Sequence, residues 1–173
     1  MTTSPPCART SVGVRLTGGQ QYTAVVDGAV QPKLVPTAGT TPIASGLAAG
    51  DHTVEIYRRT EANQGESQFL GFDYGDGAAL PPPPAPERRI EVIGDSITCG
   101  YGNEGPNMSC PFTPDTENHY LSYAAISARE LDAELVTVAW SGKGVVCNYG
   151  DDAASCTSPL PDFVPQNLFT DLE

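Results

Sequence analysis

Four consecutive prolines, Pro81 to Pro84, constrain this chain more than any other feature. Proline has no amide hydrogen and holds φ near about −65°, so such a run enters neither a helix interior nor a central strand. It adopts polyproline II, extended by about 3.1 Å per residue, and behaves as a semi-rigid strut. A proline-rich ligand for a partner fits the same residues. The hydrophobic pattern changes across them, however, and that favours a linker over residues 81–86. Before it, Val12, Val14 and Leu16 alternate with more polar neighbours, as do Tyr22, Ala24 and Val26, then Val54 and Ile56, then Leu70, Phe72 and Tyr74. Period two is the mark of half-buried strands. Turn formers at Gly18-Gly19, Asp27-Gly28, Gly39, Gly46, Gly50-Asp51 and Gly75-Asp76-Gly77 separate the runs. Residues 1–80 are therefore expected to form short antiparallel strands stacked as a β-sandwich or jelly roll.

After the linker, residues 87–173 read differently. Arg89-Ile90-Glu91-Val92-Ile93 is a β-branched run ending at Gly94. Residues 118–133 carry Leu121, Ala125, Ala128 and Leu131 at helical spacing without proline or glycine, and Glu134 to Trp140 is a second buried strand. Strand, loop, helix, strand is a βαβ unit with a parallel sheet. One such unit leaves open edges and an uncovered face; if it does not fold unaided, exposed apolar surface around Val92, Ile93, Val136 and Val138 is expected to make the chain sticky. A second helix begins around Leu168 to Glu173.

Nine basic against twenty-one acidic side chains give a formal charge of −12. That balance repels phosphate backbones and anionic membrane surfaces, so neither nucleic acid nor membrane is an expected partner. No apolar run approaches the roughly 20 residues that cross a bilayer, and Met1 to Pro6 lack the basic and apolar regions of a signal peptide. Five cysteines without a C-x-x-C pair fit disulfides better than a zinc site; the local pairs Cys99–Cys110 and Cys147–Cys156 are expected, leaving Cys7. Five reduced cysteines remain the alternative. An odd cysteine, no export signal and a disulfide-like pattern together fit a chain that has lost its true N-terminal end.

Chemistry concentrates at the ends of the two parallel strands, where open α/β sheets hold their ligands. Gly94-Asp95-Ser96-Ile97-Thr98 follows the first strand directly, which presents Ser96 as a candidate nucleophile. A helical turn starting there would aim its amide at an oxyanion. The plain alternative is a serine capping a helix. This is not the G-x-S-x-G elbow of α/β-hydrolases, because Thr98 occupies the last position. Gly100-x-Gly102-x-x-Gly105 satisfies a dinucleotide pattern, but it lies several residues past the strand and opens no helix, so no cofactor is expected. Trp140-Ser141-Gly142-Lys143-Gly144 follows the second strand. If the strands are neighbours, the Gly142 amide joins that of Ser96 as an oxyanion donor. Trp140 reads as core or cleft lining and Lys143 as a solvated charge.

With those residues in view, the segment from Gly94 resembles the first block of the SGNH hydrolases, and Ser141-Gly142 resembles the second. The chain as a whole resembles carbohydrate esterase family two, through Tyr22 to Gly28, Gly50 to Val54, Arg59-Thr60-Glu61, Phe69 to Phe72, the extended G-D-S block and Ser141 to Gly144. The resemblance implies a jelly-roll N-terminal domain joined to a partial α/β SGNH domain, a flavodoxin-like three-layer fold. It further implies metal-free, secreted deacetylation of polysaccharides such as xylan or mannan, with Ser96 as nucleophile and Gly142 as oxyanion donor.

A serine hydroxyl needs a base to take its proton. The histidines are His52, in the β region, and His119, which opens the helix after the nucleophile loop. The family places its base in a D-x-x-H block after an asparagine block, and this chain matches neither. Weak esterase activity and a missing C-terminal segment are therefore expected, with His119 as a substitute base left open. A second reading is a non-catalytic carbohydrate-binding or remnant module, in which Tyr22, Tyr57, Phe72, Tyr74 and Tyr101 stack on sugar faces.

Overall fold

The computed structural model describes residues 10–152 and 154–162. Cys7 and the helix expected at Leu168 to Glu173 lie outside them. The chain divides into two compact units: Met1–Arg58 with Gly65–Pro83, and Arg59–Gln64 with Pro84–Glu173.

In the first unit, β1 (Thr10–Leu16) lies between β4 (Thr40–Leu47) and β6 (Phe69–Asp73), while β2 (Tyr22–Val26) lies between β3 (Ala29–Val30) and β5 (Val54–Arg58). All four pairings are antiparallel. The sequence pattern misses β4 and makes Gly46 a turn. In fact Gly46 sits within the strand as an extra residue, since Thr10 faces Leu47 and Ser11 faces Ser45. Its φ of +74° is the left-handed conformation that a bulge asks of glycine. Pro42 is accommodated because β4 is an edge strand.

Val14, Leu16, Tyr22 and Leu34 form the buried cluster, with Ile43, Ile56 and Phe72 packed against it. Each such aliphatic side chain contributes about 1.5–3 kcal/mol when removed from water. All five β2 residues are buried, so both faces of that strand are covered. In β6 the alternation fails: Leu70 is exposed, and Phe72 is half-buried with its ring edge-on to Phe69 at 5.1 Å. His52 closes the Asp27-Gly28 turn, its Nδ1 lying 2.7 Å from Asp27 Oδ2 and its Nε2 2.9 Å from the Ala48 carbonyl.

In the second unit, β7 (Arg88–Gly94) and β8 (Ala133–Ala139) pair in parallel, Arg88 against Ala133 through Gly94 against Ala139. Between them come α1 (Ser96–Cys99) and α2 (Tyr123–Glu130). The helix expected over 118–133 is thus shorter. Ser122 holds extended backbone and accepts from the Ala125 amide at 3.3 Å, which starts α2 there. Asp132, at φ +48°, follows its end. The buried face is Ala124, Ala125 and Ala128, whereas Leu121 and Leu131 are exposed. Ile93 and Val136 are exposed and Val92 and Val138 half-buried. Among the described residues no helix is long and apolar enough to cross a membrane.

Candidate active site

Parallel pairing with Gly94 opposite Ala139 brings the segments after β7 and β8 to the same sheet edge. Past the last pair, the Trp140 amide donates to the Gly94 carbonyl at 3.1 Å, so the ladder continues one step beyond the strands. Asp95 then caps α1, its Oδ1 accepting from the Ile97 amide at 3.1 Å, and Ser96 stands half-buried at the first helical position. Ile97 beside it is 71% exposed.

Trp140 to Lys143 is a tight turn closed by the Lys143 amide on the Trp140 carbonyl at 3.1 Å. Gly142 holds the third position with φ +81°, the value that reserves this place for glycine in a type II turn. Its peptide is exposed, and its carbonyl accepts from the Tyr149 amide at 2.8 Å. The Tyr149 ring is 94% exposed. Sequence reading passed over Tyr149, which belongs to no periodic run. Lys143 is more than a solvated charge, because its Nζ donates to the Ser158 carbonyl at 2.9 Å and lies 5.8 Å from the Trp140 ring centre. Trp140 itself is half-buried.

The Cys147–Cys156 disulfide is present, but Cys99 and Cys110 are free thiols. Cys99 faces inward from α1, its Sγ 3.8 Å from Glu61 Oε2. Burial first, and then the charges of Glu61 and Glu117, push that thiol well above the ordinary cysteine range. It therefore stays protonated and donates to the carboxylate. Glu61, Cys99 and Glu117, all buried, bring ligand-type atoms within 4.8 Å of one another.

Glu61 is the residue that sequence reasoning undervalued. It is buried, it follows β5 closely in sequence, and its Oε2 accepts from the Ser141 amide at 2.7 Å. Its own amide donates to Glu117 Oε1 at 2.9 Å. Nearby, Arg59 pairs with Glu104, whose Oε1 accepts from Asn118 Nδ2 at 2.8 Å. A buried carboxylate persists only where such donors replace water.

His119 is half-buried on the 3-10 turn before α2. Its Nδ1 lies 3.1 Å from the Thr98 carbonyl, which can only accept, so that nitrogen carries the proton. Nε2 then accepts from Thr137 Oγ1 at 3.2 Å. Burial holds the ring below the ordinary histidine range and hence neutral at pH 7, with Arg129 adding to the effect and the Thr98 carbonyl opposing it. Both nitrogens are engaged, and neither bonds the Ser96 hydroxyl. Of the aromatics considered for sugar stacking, Tyr22 is core, Tyr57 and Phe72 are half-buried, and Tyr101 is stacked on Phe112 at 3.8 Å.

Comparison with known proteins agrees in direction. Residues 8–84 match the family described as carbohydrate esterase 2 N-terminal. The chain is 50% identical over 142 residues to the cellulase/esterase CelE of Acetivibrio thermocellus, covering 81% of this chain and 17% of that protein. It is 40% identical over 106 residues to an acetylxylan esterase / glucomannan deacetylase of Cellvibrio japonicus, covering 60% of this chain and 29% of that one. A solved family two carbohydrate esterase from Clostridium thermocellum, in complex with cellohexaose, superposes with a TM-score of 0.82 at 44% identity, covering 91% of this chain and 50% of that one. The chain thus spans half of that structure and less than a third of the other two proteins.

Proposed function

We propose, from the premise that this chain is a relative of the family two carbohydrate esterases, that residues 87–173 carry the nucleophile-bearing part of an SGNH-type hydrolase acting on acetyl esters of polysaccharides such as xylan or mannan. Residues 1–80, apart from Arg59–Gln64, are the accompanying jelly roll and residues 81–86 the linker. By the same kinship the protein is secreted. The observation that carries the reading is the parallel register of β7 and β8, which starts the Ser96 and Gly142 segments from one edge.

In this mechanism Ser96 Oγ attacks the acetyl carbonyl while its proton passes to a base. The amides of Ser96 and Gly142 donate to the oxyanion, and the sugar hydroxyl leaves with a proton. Water then releases acetate from the acyl-serine by the same route. His52 is bonded to Asp27 and Ala48, and His119 to Thr98 and Thr137. Residues 1–173 by themselves are therefore expected to turn over acetyl esters poorly.

Chemical rescue tests this. A fluorophosphonate probe with added imidazole, which stands in for the base, should label Ser96 in a dose-dependent manner, the site being located by peptide mass spectrometry and lost in Ser96→Ala. No label at Ser96 at any imidazole concentration overturns the hydrolase reading. The second reading, carbohydrate binding without catalysis, is favoured by the exposed Tyr149 ring hydrogen-bonded through its backbone to Gly142. Affinity for xylo- or cello-oligosaccharides that falls in Tyr149→Ala, with Ser96 unlabelled, would select it.

A further inference from the structure

We infer that Glu61 is a positioning residue that holds the two oxyanion-donating segments in register through a single carboxylate oxygen. The inference rests on the reading of Ser96 and Gly142 as oxyanion donors. Oε2 of Glu61 accepts from the backbone amide of Ser141, next to Gly142, at 2.7 Å, and from the thiol of Cys99, in the four-residue helix that Ser96 opens, at 3.8 Å. The first bond fixes the peptide immediately before the donor amide; the second ties down the helix bearing the nucleophile. An oxyanion hole works only when its donors are set before charge develops, and Gly142 itself is exposed in its turn.

Glu61 is in turn held from behind. Its amide donates to Glu117 Oε1 at 2.9 Å, and two residues earlier the Arg59 carbonyl accepts from the His119 amide at 2.9 Å. The Arg59 guanidinium pairs with Glu104, and Asn118 bonds both Glu104 Oε1 and the Gly100 carbonyl. Gly100 closes α1. The brace is thus anchored at the last turn of α1, at the segment preceding α2 and at the turn after β8.

Two substitutions of Glu61 separate reach from charge, with amide hydrogen exchange of residues 1–173 measured by NMR. Glu61→Gln keeps the length and an accepting oxygen; Ser141 exchange should stay within about threefold of the native rate. Glu61→Asp keeps the charge but withdraws the oxygen by one methylene; Ser141 exchange should rise about tenfold, while Ala128 inside α2 is unchanged. A native rate at Ser141 in Glu61→Asp, or equal acceleration in both variants, overturns the tether. So does acceleration at Ala128 matching that at Ser141, which would make Glu61 a general stabiliser. Imidazole-dependent labelling of Ser96, read separately in the native chain, reports whether the hydrolase reading itself stands.

Discussion

In the first unit the central buried positions are largely hydrocarbon, with Val14, Leu16, Tyr22 and Leu34 at the middle, whereas the second buries Arg59, Glu61, Glu117, Asn118, Thr98 and Ser122 beside Cys99, Leu160 and three alanines. Apolar burial is non-directional and tolerates adjustment. A buried polar network is different, because each donor left without its acceptor costs its full desolvation. The first unit therefore draws stability from contact area, the second from the geometry of particular bonds, and the candidate chemistry sits in the second.

The contrast can be broken most readily at Leu16. Leu16→Ala should destabilise the first unit by about 2–4 kcal/mol, seen as faster amide exchange in β2, while the fluorescence midpoint of Trp140, the protein's one tryptophan, is unmoved. Glu117→Ala should do the reverse: it strips the acceptor from the Glu61 amide, costs about 1–3 kcal/mol and lowers the Trp140 midpoint in urea. Ser122→Ala removes the cap of α2 and should cost about 1 kcal/mol by the same fluorescence reading.

The smallest effect concerns His52, whose affinity for protons is raised first by the Ala48 carbonyl and then by Asp27. A raised histidine stabilises fully below its unfolded value of 6.5 and loses that contribution as pH climbs through the higher folded value. First-unit stability should thus decline slightly from about pH 6 to about pH 8, and the slope should vanish in His52→Gln. A Trp140 midpoint tracking the same slope would mean that the two units do not unfold separately.

β1 and β2 could be read in advance because Val12, Val14 and Leu16, and then Tyr22, Ala24 and Val26, carry period two into strands that hydrogen-bond on both sides. β4 could not. Its T-T-P-I-A-S-G-L stretch has two register shifts and lies at an edge, so neither alternation nor propensity marks it. Around α2, Leu121 and Leu131 kept helical spacing, yet the Ser122 cap starts the helix after Leu121, and Leu131 is its C-cap. The turns that carry Ser96 and Gly142 could be placed because a glycine turn after a strand is a local signal. Glu61 was not, because its burial depends on an amide eighty residues further on. The same long-range pairing explains the error at Cys99, which sequence spacing joined to Cys110 and which instead faces Glu61.

Because the chain visits the second unit at Arg59–Gln64 and only then returns to finish β6, the two halves are not exchangeable cassettes. A gene spliced at the proline run would carry off the brace with the wrong half. Shuffling the second unit onto a different partner domain would therefore require that partner to bring an equivalent Arg-Thr-Glu graft.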